Sequence, residues 1–261
     1  KLVERALKEY EIDRVFHLAA QTIVTIANRA PLSTFETNVG GTWALLEAAR
    51  RSPKIKRVVV ASSDKAYGVH QKLPYTEEDA LLGCHPYDVS KACADLIARA
   101  YTVTYGLPVG VTRCANLYGG GDLNWSRIVP GTMRSLIRGE RPIIRSDGTL
   151  VRDYLYVQDA VCAYLTLAEQ LERPEVQGQG FNFGMDDPQS VSAIVQAMIA
   201  VSDHPEIEPI VQGNAPNEIP EQYLASSRAK QVLGWSPAFT LAEGLRETMA
   251  WYREFLTGRA A

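Results

Sequence analysis

The run Val58-Val59-Val60 opens almost directly into Ser62-Ser63-Asp64-Lys65. Consecutive β-branched apolar residues suit a strand covered on both faces, and such strands belong to parallel sheets flanked by helices. In these sheets, chemistry gathers beyond the carboxyl ends of the strands. Hydroxyl, carboxylate and ammonium groups follow this strand at once, so the segment predicts an enzyme site at a strand end.

Short apolar stretches alternate with amphipathic ones, as βα units do. Strands are predicted at Arg14 to Leu18, Arg57 to Ser62 and Val109 to Cys114. A helix from Ser33, as N-cap, to Arg50 is expected to bury Phe35, Val39, Leu45, Leu46 and Ala49. Another, from Tyr87 to Tyr105, carries an apolar stripe of Val89, Cys93, Leu96, Ile97 and Ala100. After Gly119-Gly120-Gly121 the elements shorten. Helices are predicted at Ile128 to Arg138, Val157 to Leu171, Val191 to Val201 and Leu241 to Leu256, the last burying Leu245, Met249, Tyr252 and Phe255. The fold class is α/β, with a first domain over residues 1–118 and a smaller lobe over 119–261. Within the latter, residues 178–186 around Phe181-Asn182-Phe183 can return to the first sheet.

Of 261 residues, 46% are hydrophobic and 22% charged, enough for one substantial core and a smaller second one. A net charge of -3 provides no global attraction for nucleic acid or anionic membranes, so a phosphate-bearing ligand must be held by local Arg or Lys. Cys84, Cys93, Cys114 and Cys162 lack C-x-x-C spacing, which argues against a metal site and disulfides and fits a reducing cytoplasm. No apolar run has the length of a membrane span.

On a helix, Tyr87 and Lys91 share a face. An ammonium beside a phenol favours the phenolate and lowers its pKa from about 10, making Tyr87 a candidate base for a hydroxyl proton. Ser63 can hydrogen-bond the same hydroxyl. Such a group serves an enzyme that removes hydride from a carbinol carbon. With 12 tyrosines, one Tyr-x-x-x-Lys can also arise by chance.

Its companions make the pattern specific. Phe16-His17-Leu18-Ala19-Ala20-Gln21, Thr37-Asn38-Val39-Gly40-Gly41-Thr42, Ser62 to Gly68, His85 to Lys91, Arg113-Cys114-Ala115-Asn116-Leu117-Tyr118-Gly119, Val151 to Ala160 and Leu233-Gly234-Trp235-Ser236-Pro237 follow in that order. Together they resemble the extended short-chain dehydrogenase/reductase family, the NAD-dependent epimerases and dehydratases, and within it the nucleotide-sugar 4,6-dehydratases. The likeness spans nearly the whole chain.

That resemblance implies a Rossmann-type sheet holding NAD and a C-terminal lobe gripping a nucleotide sugar. The implied reaction oxidises the hexose at C4, eliminates water across C5 and C6, and returns hydride to C6. Tyr87 would act at the C4 hydroxyl, Lys91 would lower its pKa and hold the nicotinamide ribose, and Ser63 would orient the sugar. Asp64 would protonate the departing C6 hydroxyl. Leu18, Ala19, Ala20, Ser62 and Cys114 would line the cofactor together with Tyr87 and Lys91. Gln21, Ser63 and Asn116 would contact substrate, with Arg145 and Arg152 clamping its diphosphate. No metal is implied. Ser63-Asp64-Lys65 is similar to the CDP-glucose branch, whereas dTDP-glucose and GDP-mannose enzymes commonly carry Glu at the third position. Lys65 would then take the C5 proton as a neutral amine or stabilise the enolate as a cation. A homodimer through helices bearing Trp43, Leu46, Ala92, Leu96 and Ala100 is also expected.

No glycine-rich Gly-x-x-Gly-x-x-Gly turn precedes a helix, so the pyrophosphate-binding βα units are expected upstream of Lys1. Val24 to Asn28 also differs from the Val-Arg-x-Ser-Tyr of CDP-glucose enzymes. The alternatives are a nucleotide-sugar 4-epimerase, a GDP-mannose or dTDP-glucose 4,6-dehydratase, and a non-catalytic nucleotide-sugar-binding fragment.

Overall fold

Val58, Val59 and Val60 are fully buried in a four-stranded parallel sheet ordered Arg14–His17, Arg57–Ala61, Val109–Cys114 and Gly180–Phe183. Val59 pairs with Phe16 on one side and Gly110 on the other. The computed structural model describes residues 2–214 and 219–258. All six residues of Val109–Cys114 are buried, as expected of a strand covered on both faces. At Gly110 a β-carbon would lie 3.0 Å from the Leu167 side chain, so glycine lets a helix approach this strand closely.

The chain forms two compact units. The first comprises residues 2–114, 161–183 and 224–235, the second 115–160, 184–214, 219–223 and 236–258. The boundary anticipated at residue 118 therefore falls at 114, and two later segments join the first unit rather than the second. Gly180–Phe183 supplies the fourth strand of the first sheet.

Two helices differ from their expected form. In place of a single helix capped by Ser33, Pro31–Phe35 leads through a wider π-helical turn at Glu36–Gly40 into Gly41–Arg50. Pro31 occupies the first turn, and the Ser33 hydroxyl donates to Ala30 O at 3.1 Å. The buried side includes Thr34, Asn38 and Thr42 as well as Leu46 and Ala49, whereas Phe35, Val39 and Leu45 are half-buried. Asn38 and Thr42 tolerate burial because both are hydrogen-bonded.

Helix Pro86–Tyr105 buries Tyr87, Asp88, Ser90, Lys91, Ala92, Ala94, Asp95 and Ala98. The predicted stripe is only partly inside: Val89, Cys93 and Ile97 are half-buried, with Ile97 packed against the core, whereas Leu96 is 56% exposed and Ala100 is exposed too. Small alanines allow close packing on the sheet, and polar partners there outweigh the larger apolar side chains of the opposite face. Leu46 and Ala92, expected at a subunit interface, are instead buried within this unit, while Trp43 is 54% exposed.

In the second unit, Asn116–Tyr118 pairs with Tyr154–Tyr156, and Val151–Arg152 lies between Glu221–Gln222 and Gln189–Ser190. Ile143–Ile144 pairs with Ile210–Val211. Helices Ile128–Ile137, Val191–Ala200 and Leu241–Leu256 pack Met133, Leu136, Ile194, Met198, Leu245 and Met249 into one core. Thr240 and Glu243 close a reciprocal capping box at the last helix. Tyr252 is fully buried there, but Phe255 is exposed rather than packed inside. Two buried carboxylates brace the unit: Asp153 accepts the backbone N–H of Met185 at 3.0 Å and Asp159 that of Ala238 at 2.7 Å.

Candidate active site

Strand Arg57–Ala61 ends in Ser62 and Ser63, and Ser63 caps a single 3-10 turn, Asp64–Tyr67. The Ser63 hydroxyl accepts the Lys65 N–H at 3.2 Å and donates to Asp64 Oδ1 at 3.0 Å. Asp64 is buried, and its Oδ2 lies 4.0 Å from Lys65 Nζ. A carboxylate and an ammonium are thus held beside each other on one turn.

Helix Pro86–Tyr105 starts at His85 with Pro86 in its first turn, which puts Tyr87 and Lys91 on its buried side. Lys91 Nζ donates to Ala61 O at 2.8 Å and lies 5.9 Å from the Tyr87 ring centroid. The Ser62 hydroxyl donates to Lys91 O at 3.2 Å, tying strand end to helix. Burial pushes the Lys91 ammonium down to about 8. Asp88, next to Tyr87, is raised by burial and lowered by the nearby Lys65 charge. The 3-10 turn packs against the helix, so Ser62, Ser63, Asp64 and Lys65 lie on a segment adjoining the helix that carries Tyr87 and Lys91.

Burial pushes the Cys114 thiol up to about 12, so it stays protonated. Leu18 and Ala19 are exposed and Ala20 is half-buried in the loop after the first strand. Gln21 is tied locally: its N–H donates to Asn38 Oδ1 at 2.6 Å and its Oε1 accepts the Ile23 N–H at 2.8 Å. Asn38 also donates to Ser90 Oγ at 2.8 Å, fixing that loop to the Tyr87 helix. His17 Nε2 pairs with Thr42 Oγ1 at 3.0 Å, and burial followed by the Lys91 charge lowers its pKa. Asn38 and His17 received no site role from the sequence, although both lie in the quoted motifs.

An ammonium has three N–H donors, and Ala61 O takes one of those on Lys91. Remaining donors at the carboxyl end of a parallel sheet suit the hydroxyls of a dinucleotide ribose, so these residues fit a nicotinamide cofactor.

The second unit contains a cavity of about 480 Å³ lined by Asn116, Trp125, Arg127, Arg134, Arg145 and Arg152, among others. Asn116, Arg145 and Arg152 are thus assembled in one place. Arg152 is buried and donates to Val151 O at 2.7 Å and Pro220 O at 3.2 Å, whereas exposed Arg145 donates to Ser126 O at 3.3 Å. Sequence reasoning missed Arg127 and Arg134. Arg134 lies 4.8 Å from the Trp125 ring centroid, and Arg127 pairs with Asp122 at 2.6 Å. Four guanidinium groups around one cavity suit a polyanion, with Trp125 offering a flat apolar surface. Among the described residues there is no cluster of three or more metal-ligating side chains and no helix long and apolar enough to cross a membrane.

Residues 1–248 match the family model described as GDP-mannose 4,6 dehydratase. The CDP-glucose 4,6-dehydratase of Salmonella typhimurium is 30% identical, the alignment covering 98% of this chain and 75% of the relative. Among solved structures, UDP-glucose 4-epimerase from Thermotoga maritima with UDP-glucose superposes with a TM-score of 0.90 at 30% identity, over 98% of this chain and 82% of that one. The dTDP-glucose 4,6-dehydratase of Bacillus anthracis in complex with NAD gives a TM-score of 0.82 at 30% identity, over 97% and 76%.

Proposed function

Since the chain belongs to the GDP-mannose 4,6-dehydratase family of NAD-dependent nucleotide-sugar enzymes, we propose that it converts CDP-glucose to CDP-4-keto-6-deoxyglucose and water. The observation that carries this is the Asp64–Lys65 pair, 4.0 Å apart, on the turn packed against the Tyr87–Lys91 helix. C4 oxidation alone needs only the base on the helix. An acid beside an amine equips the same site to eliminate water.

NAD, held by Lys91 and the residues lining the strand end, would supply the acceptor for hydride from hexose C4 and the means of its return to C6. Tyr87 takes the C4 hydroxyl proton, helped by the Lys91 ammonium, while Ser63 hydrogen-bonds the same oxygen. The resulting ketone acidifies C5. Lys65 removes the C5 proton as a neutral amine, and protonated Asp64 gives its proton to the departing C6 hydroxyl. Elimination leaves the pair as ammonium and carboxylate; as hydride reaches C6, the Lys65 ammonium, exchanged with solvent, returns a proton to C5, and the proton taken by Tyr87 passes through solvent to restore Asp64. In the second unit, Arg145 and Arg152, aided by Arg127 and Arg134, hold the diphosphate, and Asn116 contacts the substrate. Leu18, Ala19, Ala20 and Cys114 line the cofactor; Gln21 acts through the loop it anchors. Exposed Trp43 and Leu96 are the surface through which two copies would pair, and sedimentation of Trp43→Glu against the parent chain tests that.

The likeness to UDP-glucose 4-epimerase favours a second possibility, inversion at C4. Turnover of CDP-glucose in deuterated water separates the two. Dehydration places deuterium at C5 of a 4-keto-6-deoxy product; an unlabelled C4 epimer overturns it.

A further inference from the structure

Behind the turn that carries Asp64 and Lys65 lies a polar network to which the chemistry above assigns no part. Tyr67, the last residue of that turn, is fully buried and stacked on Tyr75 with ring centroids 4.9 Å apart. Its hydroxyl donates to Asn182 Oδ1 at 2.8 Å and accepts from Arg113 Nη1 at 2.8 Å. Arg113 also grips Asp95 with both arms of its fork, at 2.8 and 3.0 Å. Asn182 donates from Nδ2 to Tyr75 O at 3.1 Å, and its backbone N–H donates to Glu77 Oε1 at 2.8 Å. The Tyr75 hydroxyl closes the circuit on Gly68 O at 2.6 Å, immediately after the turn. Two strands of the sheet and the Tyr87 helix thereby converge on one phenol.

Apolar packing of equal volume would hold a turn at least as stably, because a buried ion pair gives little net stability. A fully satisfied network adds direction: each hydrogen bond fixes a distance and an angle, and the members stiffen one another. The residues at risk of drifting are the ones only two or three positions away on the same turn.

We propose that Tyr67, held by Arg113 and Asn182, is a positioning residue that sets Asp64 and Lys65 for the C5 and C6 proton transfers while leaving C4 oxidation untouched. The kinetic part rests on the dehydratase assignment above; the geometric part does not. Tyr67→Phe removes the shared hydroxyl, and Asn182→Ser weakens the anchor while sparing the Arg113–Asp95 pair, so that a folded variant is available if the first is lost. Each is compared with the parent protein, loaded with NAD, in three measurements: the rise of reduced-nicotinamide absorbance, C5 deuterium incorporation, and a crystal structure.

The expected result is an absorbance rise at the parent rate, C5 exchange and water loss slowed by about 100-fold, and Asp64 displaced by about 1 Å. Equal slowing of both steps, or Asp64 still on Ser63 Oγ in either variant, overturns the proposal. If the parent protein dehydrates no nucleotide hexose, the dehydratase assignment fails, and the position of Asp64 in the variant structures still decides whether Tyr67 positions it.

Discussion

Lys91 directs its ammonium to the carbonyl of Ala61, 2.8 Å away, at the end of the strand that delivers Ser62 to Lys65. This contact locks helix to strand and fixes the separation between the group over the Tyr87 ring and the acid–amine turn. Burial of the same ammonium lowers Lys91 to about 8.

Lys91→Met should abolish turnover yet stabilise the fold near pH 7. A lysine depressed from 10.5 to about 8 makes the unfolded state bind more protons between those values, so its contribution to stability rises with pH through that window. Below about pH 8 the folded protein bears the full cost of the buried charge, on the order of 3 kcal/mol. Melting curves should show the variant's advantage at pH 7 shrinking toward pH 10. A constant advantage would show that burial of the charge is not its source.

Lys65→Arg keeps the positive charge but cannot supply a neutral amine. C5 deuterium incorporation should fall by about 100-fold or more, with C4 oxidation little changed. Full retention of exchange would instead make Lys65 a cation that stabilises the enolate. Asp64→Asn should retard water loss to a similar degree, measured by release of 4-keto-6-deoxy product.

Arg134→Ala and Arg145→Ala, both lining the cavity of the second unit, should raise KM for the nucleotide sugar by about tenfold each while leaving kcat within about twofold, because they bind substrate and transition state alike. Steady-state kinetics on CDP-glucose checks this, and a fall confined to kcat would assign them another role.

Gly180→Ala should destabilise the first unit by about 1–3 kcal/mol. A β-carbon there meets the Arg113 guanidinium at 2.7 Å, and Asp95 prevents that side chain from swinging aside. Urea denaturation provides the measurement. Pairing the change with Arg113→Ala should produce strong non-additivity.

Much of this protein was legible in its residues before any folding. The triple valine announced a doubly covered strand, Tyr87 and Lys91 announced a shared helical face, and the ordered motifs announced the family. Local pattern carries these because apolar periodicity and motif spacing are properties of the chain itself. Which face of Pro86–Tyr105 turned inward was decided elsewhere, since Asp95 gains a buried place only through Arg113 from a neighbouring strand. The same holds for the π-helical turn that points Asn38 at Ser90 and for the arginines gathered around one cavity. Each depends on partners far along the chain. A buried polar group is affordable only once its partner has arrived, and only tertiary structure determines which partner that is.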